Sequence, residues 1–323
     1  MLKIINSDVP VELAPLKVTI LGLPGLGKTS FALTSKKPLL IDCSCEQAWR
    51  RAMWRPDALV DAKCWDDIAG MQKEDLAPFD TIVIDTVGEM INLLIPKVIK
   101  ENKKNSVGGA GKEISQNGWG AVKTQAGEWL RKMRTYGKDV VFVCHVLEKP
   151  GRDENKNQYR VDIGGSTREY VYQVSDLMGL LITNNDKRIF KVKATDEAFG
   201  KSPPEIHNLE LPDFDKTSER DTLAKMMEQT KIVFERKNEL GRKIKKSYEE
   251  LQTSLDNLGV ETEEERQATA THLTELAKKP ESDEWTKEHK RIVWIWANEK
   301  GFGYWAENNS FLTHMPAKTG QAG

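Results

Sequence analysis

The 323-residue chain has almost no net charge: 48 Lys and Arg against 49 Asp and Glu leave −1 at neutral pH. No global basic field advertises nucleic acid, so any surface for a polyanion has to be local. Long apolar runs are missing as well. None approaches the roughly 20 residues that cross a bilayer, and no membrane partner is expected. The first residues lack the charged segment and apolar core of a secretory leader. The expectation is a soluble, cytoplasmic protein. Cysteine is scarce and unpatterned. Cys43, Cys45, Cys64 and Cys144 lie in or beside apolar runs without C-x-x-C spacing, which predicts buried free thiols in a reducing compartment rather than a disulfide framework or a zinc site.

What is present is a glycine-rich stretch in a telling place. The apolar run Val18-Thr19-Ile20-Leu21 leads into Gly22-Leu23-Pro24-Gly25-Leu26-Gly27-Lys28-Thr29, which fits G-x-x-x-x-G-K-[ST] at every fixed position. A buried strand feeds the loop, and Lys28 to Thr34 reads as the helix leaving it. Glycines let successive N–H groups turn inward around phosphate oxygens. Gly22, Pro24, Gly25, Leu26, Gly27, Lys28, Thr29 and Ser30 are therefore candidate nucleotide-binding residues. Lys28 is placed to reach the β- and γ-phosphates, and Thr29 to put its hydroxyl on Mg²⁺.

Strands and helices alternate beyond the loop. Leu39-Leu40-Ile41-Asp42 reads as a second buried strand, Glu46 to Met53 as a helix and Val60 to Trp65 as a short strand. Thr81-Ile82-Val83-Ile84-Asp85 is an apolar run ending in a carboxylate, the form of a buried parallel strand that delivers an acid to the sheet edge. Asp85 is the candidate second Mg²⁺ ligand. A helix follows from about Val87 to Lys100. Residues 102–118 break all periodicity, and a loop of that length inside a compact domain is functional or mobile. A helix resumes from Trp119 to Tyr136, then a buried strand from Val140 to His145, then a second polar loop from Glu148 to Tyr159. A short helix to Val174 and two strands, Leu177–Thr183 and Arg188–Ala194, complete an α/β unit with a mostly parallel sheet.

Pro203-Pro204 and Pro212 mark its exit, so the expected domains are 1–215 and 216–323. From Arg220 to Leu258, apolar residues at 223, 226, 233, 240, 244, 251 and 258 predict one long amphipathic helix. A second helix from about Glu263 to Lys278 is expected to fold back on it. The tail concentrates Trp285, Trp294, Trp296, Phe302, Tyr304, Trp305 and Phe311, an aromatic cluster that suits either a small core or a platform for stacked bases.

The loop motif, Pro38-Leu39-Leu40-Ile41-Asp42, Phe79 to Thr86 and Gly137 to His145 together resemble the phage RecA-core P-loop ATPases of the single-strand annealing type, a phage nucleotide-binding AAA family. Gly164-Gly165, Val174 to Gly179, Thr195-Asp196 and Phe199-Gly200-Lys201 extend the resemblance over roughly residues 15–215. It implies a RecA-like core that hydrolyses ATP with Mg²⁺ and assembles head to tail, as a ring or filament, around single-stranded DNA. A single-strand binding protein is a further partner it suggests, and the host cytoplasm the setting if the chain is phage-encoded.

By the same resemblance, His145 stands where RecA-type proteins carry a γ-phosphate sensor, although a strand-end His bonding a local carbonyl reads equally well. Many P-loop ATPases place a water-activating Glu directly after the strand-end Asp; here the residue is Thr86. Relatives often carry an acid where this chain has Ser44. The base is then Glu46, with Asp42 and Glu89 as alternatives. Lys103, Lys104 and Lys112 in one loop, and Lys149, Arg152 and Lys156 in the other, fall where RecA-like assemblies meet DNA. Lys191 and Lys193 match the paired cations that reach a neighbour's γ-phosphate. Two other functions compete: a P-loop NTPase acting on a protein partner, such as a helicase loader or packaging factor, and a nucleotide-binding scaffold with little hydrolysis.

Overall fold

The computed structural model describes residues 13–314, apart from 45–46, 53–54, 110, 151–156, 165–166, 196–197, 215, 218, 284 and 306–309. Contacts divide the chain into two compact units, one Leu13–Val233 and the other from Phe234 onward.

The first unit is built on β1 (Lys17–Gly22), which runs into the glycine loop and α1 (Lys28–Ala32). Then come β2 (Pro38–Asp42), β3 (Leu59–Asp61), α2 (Trp65–Ala69), β4 (Thr81–Asp85), α3 (Val87–Glu101) and α4 (Gln116–Thr135). The second half of the unit comprises β5 (Asp139–Pro150), β6 (Asn157–Val161), α5 (Thr167–Val174), β7 (Leu177–Asn184), β8 (Lys187–Lys191) and β9 (Leu209–Glu210). The sheet order is β3-β2-β4-β5-β1-β7-β8-β9, with β6 paired to β5 alone. Pairing is parallel from β3 to β7 and antiparallel at β8, β9 and β6. This is the α/β fold with a mostly parallel sheet that the strand–helix alternation predicts. Central strands covered on both faces read as continuous apolar runs, and all five residues of β4 are buried. Met90, Ile91, Leu94 and Val98 of α3 and Val122, Ala126, Trp129 and Met133 of α4 form one core with Ile82, Ile84 and Phe142.

Several boundaries differ from the expectations. Between Glu46 and Met53 the described residues form only a 3-10 turn, Ala48–Arg51. The strand expected over Val60 to Trp65 stops at Asp61, and Trp65 opens α2, because Cys64 and Asp67 form a capping box there. Cys64 is exposed while Cys43 and Cys144 are buried free thiols; Cys45 lies outside the described residues. Part of the aperiodic stretch 102–118 is ordered locally. Asn105 is buried and donates to the Val98 carbonyl at 2.7 Å, Ser106 bridges to Ile114, and Ser115 caps α4 three residues earlier than expected.

The larger correction concerns Glu148 to Tyr159, which is not simply a loop. β5 continues through Lys149 to Pro150 and pairs antiparallel with β6, from Val146↔Val161 to Pro150↔Asn157. Past His145 the strand leaves the doubly covered sheet and becomes a two-stranded ribbon. Its residues 147–149 are exposed, so the apolar run that marks a buried strand ends while the strand does not.

The second unit contains most of α6 (Thr222–Asp256), α7 (Glu263–Lys278), α8 (Lys287–Glu299) and a hairpin of β10 (Gly303–Trp305) and β11 (Ser310–Leu312). Leu251 and Leu255 pack with Ala270, Leu273, Trp285, Val293, Trp296, Phe302 and Phe311. The aromatic tail therefore supplies a core. Arg266 lies 4.5 Å over the Phe302 ring and donates to the Thr313 carbonyl, closing the hairpin onto α7. The long stripe of α6 is divided: Leu223, Met226, Met227 and Val233 are buried within the first unit, Leu251 and Leu255 within the second. Among the described residues no helix is long and apolar enough to cross a membrane.

Candidate functional site

The loop leaves β1 at the sheet's C-terminal edge, with Gly22 opposite His145 of β5. Gly25 and Gly27 hold φ of 80° and 86°, a left-handed conformation that costs glycine nothing and other residues about a kcal/mol or more. Lys28 is nearly buried (5% exposed). Its Nζ donates to the Leu23 carbonyl at 2.8 Å and stands 3.3 Å from His145 Nδ1. Burial draws its pKa down to about 8, against the opposing pull of the Asp85 charge. An amine held this way, short of acceptors, is prepared for phosphate oxygens.

Thr29 Oγ1 donates to Asp85 Oδ2 at 2.5 Å. Burial raises the Asp85 carboxyl above the usual range, while the Thr29 hydrogen bond and the Lys28 charge oppose the rise. The β2–β4 register sets Asp42 directly beside Asp85. Asp42 is 2% exposed; its Oδ1 accepts from Ser44 N and Oγ, and its Oδ2 has no hydrogen-bond partner among the described residues. Burial raises its pKa too. Two adjoining buried carboxylates, one with an orphaned oxygen, beside a threonine hydroxyl form an oxygen donor set suited to a hard divalent cation. These residues fit Mg²⁺. Bound there, it would neutralise charge on the β- and γ-phosphates.

A cavity of about 160 Å³ opens beside this cluster, lined by Thr86, Glu89, Asn92, Trp119, His145 and Asp162 among others. Asp162 N donates to the His145 carbonyl at 2.9 Å, which ties the residue after β6 to β5 at His145. Glu89 is exposed on the first turn of α3 and accepts from Asn92 at 3.3 Å.

The AAA domain family matches residues 14–203, more than half of the chain. The chain belongs to that family. No curated protein matches it. The AAA domain match starts just before β1 and ends beyond β8, taking in the loop, Asp42, Asp85 and His145 and leaving the second unit outside. Membership places the chain in a P-loop NTPase family, and the matched residues include the glycine loop.

The structure thus gathers Lys28, Thr29, Asp85 and His145, with Asp42 beside them. Glu46 lies outside the described residues, as do Arg152 and Lys156. Lys103, Lys104, Lys112 and Lys149 are all exposed. Lys191 ends β8; Lys193 lies past it, its amine donating to the carbonyls of Pro203 and Pro204 at 3.0 and 2.9 Å. Sequence reasoning missed Trp119 and Asp162, which stand in no motif. It also missed Arg188, whose guanidinium lies against Gly27 of the AAA domain's loop. The available signal was strand alternation: Arg188 shares a face with Phe190, not with Lys191.

Proposed function

We propose that the protein hydrolyses ATP with Mg²⁺ and couples that cycle to single-stranded DNA, promoting annealing or recombination in a head-to-tail ring or filament. The observation that carries this reading is one continuous strand. β5 holds His145, 3.3 Å from the Lys28 amine, and four residues later presents exposed Lys149 on the ribbon. Lys28 and the loop N–H groups hold the phosphates, and Thr29, Asp85 and Asp42 hold the cation. Departure of the γ-phosphate returns the Lys28 amine to Leu23 and His145. A change at His145 is then transmitted along a rigid strand to the ribbon. Lys103, Lys104 and Lys112, in the segment before α4, add exposed charge that would neutralise backbone phosphates without reading sequence.

The test is anisotropy of a labelled oligothymidylate against a duplex of equal length, with and without ATP and Mg²⁺, beside ATPase assays at several salt concentrations. The reading expects preference for the single strand, turnover stimulated by it, and affinity that falls steeply with salt. Equal or absent binding to both DNAs, with turnover indifferent to DNA, would overturn it. A second reading, remodelling of a protein partner such as a helicase loader's, is favoured by Trp294, Ile295 and Tyr304, large apolar residues left exposed on the second unit. It predicts that a protein partner, not DNA, stimulates turnover.

A further inference from the structure

The β8 strand brings a cation to the glycine loop of its own chain. β7 and β8 form a hairpin closed by Asn185 and Asp186, both at positive φ (48° and 63°), the signature of a two-residue turn that fixes register. In that register Arg188 and Phe190 share one face of β8, because side chains alternate along a strand. Phe190 is fully buried and meets Phe31 of α1 edge-on, with ring centroids 5.1 Å apart. Gly179 of β7 leaves the room for it, since a Cβ there would stand 2.7 Å from the Phe190 ring. With Phe190 anchored on Phe31, Arg188 falls two residues away along β8, level with Gly27, one helical turn before Phe31. A Cβ on Gly27 would stand 3.2 Å from Arg188 Nη1 and 3.7 Å from Cζ. Arg188 is half-buried, and among the described residues no carboxylate or carbonyl engages its guanidinium.

We propose that Arg188 is a phosphate ligand supplied in cis, gripping the α- and β-phosphates of the bound nucleotide from the β8 side of the loop. Sheet order assigns it to that end. The cation site and Lys28–His145 contact are formed from β2, β4 and β5, on one side of β1, whereas Arg188 arrives from β8 on the other side. It therefore cannot share the cluster that senses the γ-phosphate. An arginine fork with no acceptor among the described residues, held beside the glycine loop, has the geometry for bidentate oxygen recognition. The inference rests on the nucleotide reading of the loop and adds a ligand outside the loop motif.

Titrations of mant-ADP and mant-ATP into wild type, Arg188→Ala and Arg188→Lys test it, with pyrophosphate and adenosine as competitors and thermal melting to verify folding. Loss of a charge-assisted pair predicts affinity lower by about 10- to 100-fold in Arg188→Ala. The loss should be equal for the two nucleotides and for pyrophosphate, with adenosine unaffected and Arg188→Lys recovering part of it. Unchanged affinity in folded Arg188→Ala overturns the inference while leaving the nucleotide site standing. So does a loss seen for ATP alone, or one that follows adenosine rather than pyrophosphate. A wild type that binds neither nucleotide overturns the site and the inference together.

Discussion

Lys28 and Asp42 are both kept at a cost that a bound nucleotide would offset. A fall in the Lys28 pKa from 10.5 to about 8 corresponds to about 3 kcal/mol of disfavoured charge. Between pH 8 and 10.5 the unfolded chain holds a proton on Lys28 that the folded chain has released. Stability of the nucleotide-free protein therefore rises through that window from this group, with the full penalty present below pH 8. Lys28→Met removes that penalty and two hydrogen bonds worth about 1 kcal/mol each, so its nucleotide-free melting temperature should rise slightly while ATP affinity collapses. Wild-type affinity for mant-ADP should weaken as pH passes 8, where the amine loses its proton; a flat profile from pH 7 to 9 would contradict this. For Asp42 the carboxyl is raised, so its charge destabilises the empty site above that pKa. Asp42→Asn keeps the Ser44 contacts and should gain about 1 kcal/mol while losing at least about 100-fold in turnover; exposed Glu89→Gln should lose far less. The glycine motif made Lys28 and Thr29 legible, and the buried run ending in a carboxylate did so for Asp85, because their chemistry demands fixed types at fixed places. Asp42 stood only among alternatives, since pairing beside Asp85 is a property of register and not of spacing.

At the scale of elements, legibility followed burial. Strands covered on both faces, β1, β2, β4 and the first half of β5, were readable as apolar runs. The ribbon was not, because a strand that leaves the sheet keeps its hydrogen bonds but loses its apolar signature. Helix α6 shows the converse. Its stripe is continuous in sequence, yet Thr34 Oγ1 and O accept from the Leu223 and Ala224 N–H groups, and Lys231 pairs with Asp139 at 2.7 Å, which binds the first turns to the P-loop unit. Nothing in a 3-4 pattern says which partner each turn meets. A chain ended after 215 would uncover the partners of Leu223, Met226, Met227 and Val233, each worth about 1.5 kcal/mol or more. We expect that truncation to aggregate, and one ending after Val233 to stay soluble and bind mant-ADP. Equal solubility and equal melting temperatures for the two would show that these turns contribute nothing to the P-loop unit.

For the whole molecule, the open matter is whether one chain completes its own active site. Lys191 faces away from Arg188 and Phe190 along β8, and so away from the face that packs on Phe31 of its own loop helix. Its amine meets no described acceptor, whereas that of Lys193 is held by Pro203 and Pro204. In the proposed head-to-tail assembly, a cation that turns away from its own site would be available to a neighbour's, where stabilising charge on the transferred phosphoryl group is worth about 10³–10⁵ in rate. Lys193→Ala, by contrast, should act through local stability, lowering the melting temperature more than the turnover per folded molecule. The decisive measurement is mixing. Lys28→Ala protein, with an intact Lys191, and Lys191→Ala protein, with an intact loop, should each be inactive alone. In a random equimolar assembly about a quarter of the head-to-tail junctions would pair an intact loop with an intact lysine, and ATPase should return to a comparable fraction. Should the mixture stay inactive while both proteins co-sediment on single-stranded DNA, Lys191 serves no neighbouring site.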